Sequence, residues 1–279
     1  MASLILCADD FALSQGTSAV IARLAAAGKV NAISCMAAAV CWDRDAGLLR
    51  ALPGGVAVGL HLVLTAERAL VADENRVLRT PVCIDKLGLQ AFSGRLEKGA
   101  IRLVIDNQFK AFSAAMGHPP SFVDGHQHSH VLPGIREIVL QATARHAPAA
   151  WLRTCADRAA AMLRRPFRGN AFASAAWSSG MQRDARRYGL ATNDSFAGHY
   201  DFESNFEKLF PMFLRSPGAR HLVMCHPGVR DGANDAIGNA RRHEAAILHT
   251  LCVSEIAAHA GLEFPMATAC HKEATPSRR

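Results

Sequence analysis

The amino-acid sequence predicts an α/β protein whose parallel strands form a closed or nearly closed barrel. Short apolar runs alternate with helical patterns, which is typical of βα units and a parallel sheet. The chain has 279 residues and is 50% hydrophobic, which is enough for one sizeable core. Polar residues recur at the carboxyl ends of the apolar runs, where parallel barrels carry their active sites. We therefore expect one domain over residues 1–271 and a disordered tail over 272–279.

The first half of the chain predicts four strands and two long helices. Ser14 is a candidate N-cap for a helix that ends at Gly28. Apolar residues at helical spacing between Ile101 and Met116 predict a second helix, and Gly117 ends it. The strands are predicted at residues 3–8, 30–39, 56–61 and 121–124.

The second half predicts four more strands and one long helix. The strands are expected at residues 151–154, 190–196, 222–225 and 262–266, and the helix at 241–258. Residues 65–94 form the least regular segment. Because they follow the third strand, they are a candidate lid or substrate loop.

Hydropathy, charge and cysteine usage indicate where the protein is located and which partners it could bind. The first ten residues lack the positively charged region and the long apolar stretch that are typical of a signal peptide. No apolar run reaches the roughly 20 residues of a membrane span, so we expect a cytoplasmic protein. The eight cysteines form no CxxC pair and fit reduced, buried thiols. The net charge of +7 is concentrated in the arginine-rich residues 151–190. That segment fits a solvated surface or an anionic glycan or lipid headgroup, and without aromatic interleaving we expect no nucleic-acid partner.

Polar side chains end most of the predicted strands. Because the carboxyl ends of parallel strands gather at one mouth of a barrel, we expect these side chains to converge. Two adjacent carboxylates at a strand end point in different directions, so one can hold a metal while the other accepts a proton. The residues, in strand order, are Asp9 and Asp10, then His61, then Asp124 with His126, His128 and His130, then Arg153, and finally His226.

The spacing of the three histidines after the fourth strand favours a shared ligand. Residues two apart lie on the same side of an extended chain, so alternate imidazoles could reach one ion or one substrate. A solvated histidine loop remains the alternative.

The other residues also have simpler structural interpretations. Adjacent acids such as Asp9 and Asp10 are common at turns and helix caps. His61 fits a satisfied core histidine, His226 fits a strand end beside a Pro-Gly turn, and Arg153 fits an ordinary ion pair.

The combination of a carboxylate with histidines suits one divalent metal ion, Mg²⁺ or Zn²⁺, with Co²⁺ and Mn²⁺ as further candidates. Other common catalytic motifs are missing from the sequence. There is no GxSxG elbow, no GxxxxGK[ST] phosphate loop, no HExxH pair and no GxGxxG fingerprint.

Four stretches of the sequence resemble the YdjC-like carbohydrate deacetylases. They occur in the family's order along most of the chain, and their residues are most similar to those of the hopanoid-associated HpnK branch. Ala12 departs from the family, which commonly has glycine there. The stretches are Ala8-Asp9-Asp10-Phe11, Val58-Gly59-Leu60-His61-Leu62-Val63-Leu64, Phe122-Val123-Asp124-Gly125-His126-Gln127-His128 and His226-Pro227-Gly228.

The resemblance implies a distorted, single-domain (β/α) TIM-like barrel with one divalent metal ion. It implies Asp10, His61 and His126 as metal ligands and Asp9 as catalytic base. It implies His226 as acid or substrate contact. Substrate-binding or supporting roles are expected for His128, His130, Asp124 and Arg153.

The implied activity is hydrolysis of an N-acetyl group from an amino sugar, either in an N-acetylglucosamine oligosaccharide or in a glycolipid at a membrane surface. A homodimer is a further expectation from the family. Two other functions remain open. A metal-dependent phosphoesterase would use similar residues but usually more carboxylates. A catalytically inactive glycan- or lipid-binding protein would bind its ligand without needing a metal.

Overall fold

The structure is a computed structural model that describes residues 2–52, 54–65, 83–230 and 235–265. Its centre is one sheet in which all strand pairs are parallel. The strands are β1 Ala2–Phe11, β2 Ala32–Cys35, β3 Ala57–Leu62, β4 Phe122–Gly125, β5 Trp151–Leu152, β6 Ala191–Thr192, β7 Ser195–Ala197, β8 Arg220–Cys225 and β9 Leu262–Glu263. Their spatial order is β6-β5-β4-β3-β2-β1-β8-β7, and β9 pairs with the start of β1.

Helices connect the strands, as expected for βα units. A short 3₁₀ segment, His126–Val131, directly follows β4. The helices are α1 Gln15–Ala26, α2 Trp42–Arg50, α3 Ile84–Phe92, α4 Lys98–Met116, α5 Ile135–His146, α6 Ala159–Leu163, α7 Arg168–Trp177, α8 Met181–Arg187, α9 Phe206–Phe213, α10 Gly238–Thr250 and α11 Val253–His259.

The sheet curls back on itself through a two-residue link. β6 and β7 lie at opposite ends of the strand order, yet only Asn193 and Asp194 separate them along the chain. The Asn193 side chain accepts from the Thr154 amide at 2.7 Å and donates to the carbonyls of Thr154 and Ser195 at 2.9 and 3.0 Å. The barrel-like α/β fold with parallel strands is therefore confirmed. The prediction of a single strand over residues 190–196 was wrong, because the chain turns at residues 193–194 to reach the other end of the strand order.

Several helix and strand ends follow the sequence signals. Ser14 Oγ accepts from the Thr17 amide at 3.1 Å and so caps α1 as predicted. Gly117 ends α4 in the left-handed region, with φ of 79°. β2 is shorter than the predicted 30–39, because turns lead from Met36 into α2. The helix predicted over 241–258 is divided into α10 and α11, since Leu251 is extended between them.

Three predicted segments lie partly or wholly outside the described residues. Residues 66–82 of the candidate lid and the tail at 272–279 are in this group, as is the end of the strand predicted at 262–266. The part of this segment that the structure describes contains the helix α3, which the sequence analysis did not predict.

Part of the arginine-rich segment is internal. Arg153 is fully buried, and Arg165 pairs with Asp157 and donates to the Phe196 carbonyl at 3.1 Å. The basic surface expected over residues 151–190 therefore does not include these two arginines. In the described ranges, no helix combines the length and the apolar character that crossing a membrane requires.

A close approach between β3 and β4 aligns two residues of interest. An added Cβ at Gly59 would lie 2.5 Å from the Phe122 ring, so only glycine fits beneath that ring. The Phe122 ring also stacks on Trp151 at 4.5 Å, which ties β4 to β5. In the resulting register His61 pairs with Asp124 across the two strands.

Candidate active site

The polar strand ends converge at one end of the barrel. Because the strands are parallel, their carboxyl ends lie at the same end of the barrel. The strands that contribute to the site are β1, β3, β4, β5 and β8. The residues at these ends are mostly buried, at 3% exposure or less for Asp9, Asp10, His61, Asp124 and Arg153. Charged groups this deep require partners, and the structure supplies them.

An irregularity in β1 directs its two carboxylates differently. The register with β2 shifts between Ala8 and Phe11, and Asp10 has a positive φ of 66°. Asp9 therefore faces Arg153, while Asp10 faces the histidines. Ala12 also has a positive φ, 72°, a backbone conformation that favours glycine.

Asp9 and Asp124 share one guanidinium. Arg153 donates to both carboxylate oxygens of Asp9 at 2.6 Å, and its Nη2 lies 2.6 Å from Asp124 Oδ2. Cys7 Sγ is 3.1 Å from the same nitrogen. Cys7, Asp9 and Asp124 form one of two groupings with metal-ligand spacing in the described chain, but Arg153 already supplies the positive charge there. A cation is better accommodated by the second grouping.

That second grouping consists of Asp10, His61 and His126, whose potential ligand atoms all lie within 4.8 Å of one another. Asp10 Oδ1 is 3.4 Å from His61 Nε2 and 3.2 Å from His126 Nδ1. The His126 side chain is 24% exposed, which opens the group to solvent. One carboxylate and two imidazoles suit a divalent cation, so this donor set fits the metal that the sequence predicted.

The opposite side of the His61 ring is fixed by β2 and β4. His61 Nδ1 lies 2.6 Å from Asp124 Oδ1 and 3.0 Å from Ser34 Oγ, and Ser34 donates to the same Asp124 oxygen. A carboxylate behind a histidine is a common support for a metal ligand, because it leaves the other ring nitrogen directed at the ion.

The charges of the group are strongly coupled. Burial lowers the pKa of His61, but Asp124 and Asp10 outweigh it and raise the value to about 10. Burial raises the pKa of Asp10, yet Arg241 and His126 bring it well below its usual range. For Asp124, Arg153 and His61 likewise outweigh burial and lower the pKa. The protein thus holds the carboxylates of Asp10 and Asp124 in the charged form, and Asp10 is the one that would bind a cation.

The histidines after β4 do not share one side of an extended chain, so that prediction was wrong. Gln127 and His128 have positive φ values of 51° and 58°, and the 3₁₀ segment turns each ring differently. His126 faces Asp10, while His128 lies against Phe196 and His199, with ring centroids 5.5 and 5.4 Å apart.

His130 faces the scaffold of the site. Its Nε2 donates to the Arg153 carbonyl at 3.0 Å, and burial lowers its pKa to about 4. His130 therefore positions the backbone of Arg153, directly after β5.

His226 follows β8 and has an open ring nitrogen. Its amide donates to Glu244, and its Nδ1 is buried without a hydrogen-bond partner among the described residues. Burial lowers the pKa of His226 to about 4 despite the opposing effect of Asp10 and Asp9, so the ring is neutral near pH 7. Glu244 also accepts from the Tyr200 hydroxyl.

Sequence reasoning missed four residues that complete this environment. Arg241 donates to Asp10 Oδ2 at 2.7 Å, and Glu244 lies one helical turn further along α10. Both side chains are buried, but charged residues three apart on a helix are ordinarily solvated, so the sequence carried no signal for them. Ser34 lies within an apolar strand and His199 lies in a loop, so neither carried a pattern.

Comparison with known proteins identifies the family of this chain. The sequence model described as YdjC-like protein matches residues 3–259. Chitooligosaccharide deacetylases from Yersinia pestis (strain Pestoides F) and Yersinia pseudotuberculosis (serotype O:1b) are each 34% identical over 136 residues. Those alignments cover 49% of this chain and 53% of each relative, so the chain spans about half the length of the curated relatives it matches.

Two solved structures share the fold. A protein from Enterococcus faecalis, named as a candidate cellobiose-phosphate cleavage protein, superposes with a TM-score of 0.69 at 18% identity, over 95% of this chain and 97% of that one. An uncharacterised Agrobacterium tumefaciens protein superposes with a TM-score of 0.50 at 12% identity, over 94% and 86% of the two chains. The family match spans most of the sequence and includes every strand-end residue of the site: this chain belongs to the YdjC-like family.

Proposed function

We propose that this protein is a metal-dependent deacetylase that removes the N-acetyl group from an amino sugar and releases acetate. The observation that carries the proposal is the juxtaposition of Asp10, His61 and His126 with a neighbouring carboxylate, Asp9, that is held separately by Arg153. The chitooligosaccharide deacetylases that match about half of this chain support the same reaction on N-acetylglucosamine oligosaccharides. A glycolipid that carries an N-acetylated amino sugar is the alternative substrate.

Asp10, His61 and His126 would hold the metal, which we expect to be Mg²⁺ or Zn²⁺, with Co²⁺ or Mn²⁺ as further candidates. Once bound there, a divalent cation would supply Lewis acidity to the acetamide carbonyl and lower the pKa of a water molecule. Asp124 and Ser34 would keep His61 Nε2 directed at the ion.

Asp9 would act as the base that takes a proton from the attacking water. Arg153 engages both of its oxygens, which fixes the plane of the carboxylate. New bonding between the water oxygen and the carbonyl carbon is followed by cleavage of the C–N bond.

His226 would protonate the departing amine, since an amine leaves poorly as an anion. Because its ring is neutral near pH 7, His226 must first receive a proton, and the proton taken up by Asp9 is the available one. The products are acetate and a free amino sugar.

Paired variants at the two adjacent carboxylates test this proposal. Asp9→Asn should retain the metal and lose at least about a hundredfold in kcat, the range of general acid–base catalysis. Asp10→Asn should lose metal binding and activity together. The measurements are acetate release from N-acetylglucosamine oligosaccharides and glycolipids, and metal content after dialysis. Full activity of metal-loaded Asp9→Asn would refute the base assignment, and wild-type protein that hydrolyses only phosphate esters would refute the reaction.

A further inference from the structure

The loop between β7 and α9 brings two residues without an assigned role to the candidate active site. His199 packs on His128, and Phe202 packs on His226, with ring centroids 5.4 Å apart in both pairs. We infer that residues 198–204 form a sugar-binding subsite in which His199 hydrogen-bonds a hydroxyl or acetamide group and Phe202 stacks on the pyranose ring. This inference rests on the proposed function and deepens it.

Imidazole nitrogens that lack a hydrogen-bond partner form one wall of this subsite. His128 Nδ1, His199 Nε2 and His226 Nδ1 are each buried without a hydrogen-bond partner in the ranges that the structure describes. Buried polar atoms in folded proteins almost always have a partner, so three such nitrogens close together indicate a ligand with several polar groups. A sugar meets this requirement with its hydroxyl and amide groups.

The charge of the wall favours a neutral ligand. Burial and the neighbouring His226 lower the pKa of His199 to about 4, so its ring is an uncharged imidazole. A neutral imidazole offers one donor and one acceptor, which matches a hydroxyl group. The nearby guanidinium of Arg153 is already engaged by Asp9 and Asp124, so it does not provide an anion site.

Phe202 is held in an unusual backbone conformation beside this wall. Its φ is 61°, which is rare for a bulky residue and is typical of positions constrained for function. The ring is half-buried and lies 4.7 Å from Tyr200, which leaves part of it open. Aromatic side chains in carbohydrate sites present an apolar face to the C–H groups of the sugar ring.

The loop is packed tightly against the sheet at its start and is stabilised internally by a turn. An added Cβ at Gly198 would lie 2.4 Å from the Met224 carbonyl oxygen, so the loop begins in tight contact with β8. Further along, Asp201 Oδ1 accepts from the amides of Glu203 and Ser204 at 3.0 and 2.8 Å. The two side chains are thus presented on a fixed frame, as precise recognition requires.

The test separates recognition from turnover. His199→Phe retains an aromatic ring and removes the nitrogens, and we expect KM for N-acetylglucosamine oligosaccharides to rise about five- to tenfold, the scale of one neutral hydrogen bond. Phe202→Leu should raise KM by about the same factor. In both variants kcat should stay within about twofold of the wild type. His199→Gln, which keeps one hydrogen-bonding group, should give a smaller rise and provides a second variant at this position.

His259→Phe is the matched control, because His259 is exposed on α11 and lies outside the site. Its KM and kcat should equal those of the wild type. Thermal unfolding of each variant checks that it is folded. An active wild type with KM unchanged in His199→Phe, His199→Gln and Phe202→Leu would overturn the subsite and leave the deacetylase proposal standing. A wild type that releases no acetate with metal bound would overturn both.

Discussion

Three histidines near the site differ in what their ring nitrogens contact. His61 Nδ1 is paired with Asp124, which leaves Nε2 toward Asp10. His130 uses Nε2 on the Arg153 carbonyl, and His226 leaves Nδ1 open. The partners of the ring nitrogens therefore decide the role of each histidine. They make His61 a candidate ligand, His130 a scaffold residue and His226 a candidate proton donor.

Ser34→Ala tests how strongly the support behind His61 controls metal binding. The change removes a hydroxyl that contacts both His61 Nδ1 and Asp124 Oδ1, so the ring is less firmly oriented. We expect metal affinity to fall about tenfold, at the lower end of the usual effect for such supporting residues. Isothermal titration of the metal-stripped protein with Zn²⁺ or Mg²⁺ measures this.

Ser195→Ala is its control, because Ser195 Oγ makes a comparable contact with His221 Nδ1 at 2.7 Å in a different part of the sheet. That variant should lose stability by about 1 kcal/mol and bind metal normally. Equal affinity in Ser34→Ala and the wild type would show that Asp124 alone fixes His61.

The residues that sequence reasoning located are those for which position and chemistry agree. Asp9, Asp10 and His61 each end an apolar strand, and the parallel sheet brings such positions together. Arg241 and Glu244 lie on a helix far along the chain, and only tertiary packing reveals that they face the site. A single sequence does not contain that contact.

At the scale of elements, turn geometry was the least predictable feature. The spacing His126, His128 and His130 suggested one side of a strand, but positive φ values at Gln127 and His128 turn the rings apart. Neither residue is glycine, so no local signal marked the left-handed turn. The chain adopts it because His126 and His130 are held by separate partners, Asp10 and the Arg153 carbonyl.

The contact between α10 and the end of β8 should depend on pH through Glu244. Burial raises the pKa of Glu244 from 4.5 to about 7, although Tyr200, the His226 amide and Arg241 oppose this, and Asp9 adds to it. Between pH 4.5 and about 7, Glu244 is protonated in the folded state and ionised in the unfolded state. The resulting stabilisation is complete below pH 4.5 and is lost as pH rises through 7, by up to about 3 kcal/mol.

Glu244→Gln should remove this dependence, because the amide can still pair with both neighbours and never ionises. The variant should gain stability relative to the wild type as pH rises from 5 to 8, measured by urea unfolding at each pH. Glu137→Gln is the control, since Glu137 accepts from Tyr188 at the exposed surface. A wild-type-to-variant difference that stays constant from pH 5 to 8 would contradict the raised pKa.

At the scale of the whole molecule, βα alternation was enough to predict the parallel barrel, because each strand must return to the same sheet through a helix. The way in which the two ends of the sheet are joined was not predictable from the sequence. It depends on the short link at Asn193 and Asp194 and on side-chain hydrogen bonds to Thr154, which replace the regular strand pairing that periodicity detects.

Metal binding should stabilise the entire fold, because Asp10, His61 and His126 come from three distant parts of the chain and meet only in the folded state. At a metal concentration of one hundred times Kd, the expected gain is about 2.7 kcal/mol, which raises Tm by about 5 °C or more for a chain of this size. Differential scanning fluorimetry with chelator and with added Mg²⁺, Zn²⁺, Co²⁺ or Mn²⁺ measures the shift. His126→Ala is informative because its side chain is partly exposed, so the metal-stripped variant should unfold near the wild-type Tm. Added metal should then raise its Tm far less than that of the wild type, and an undiminished shift would place the stabilising ion elsewhere.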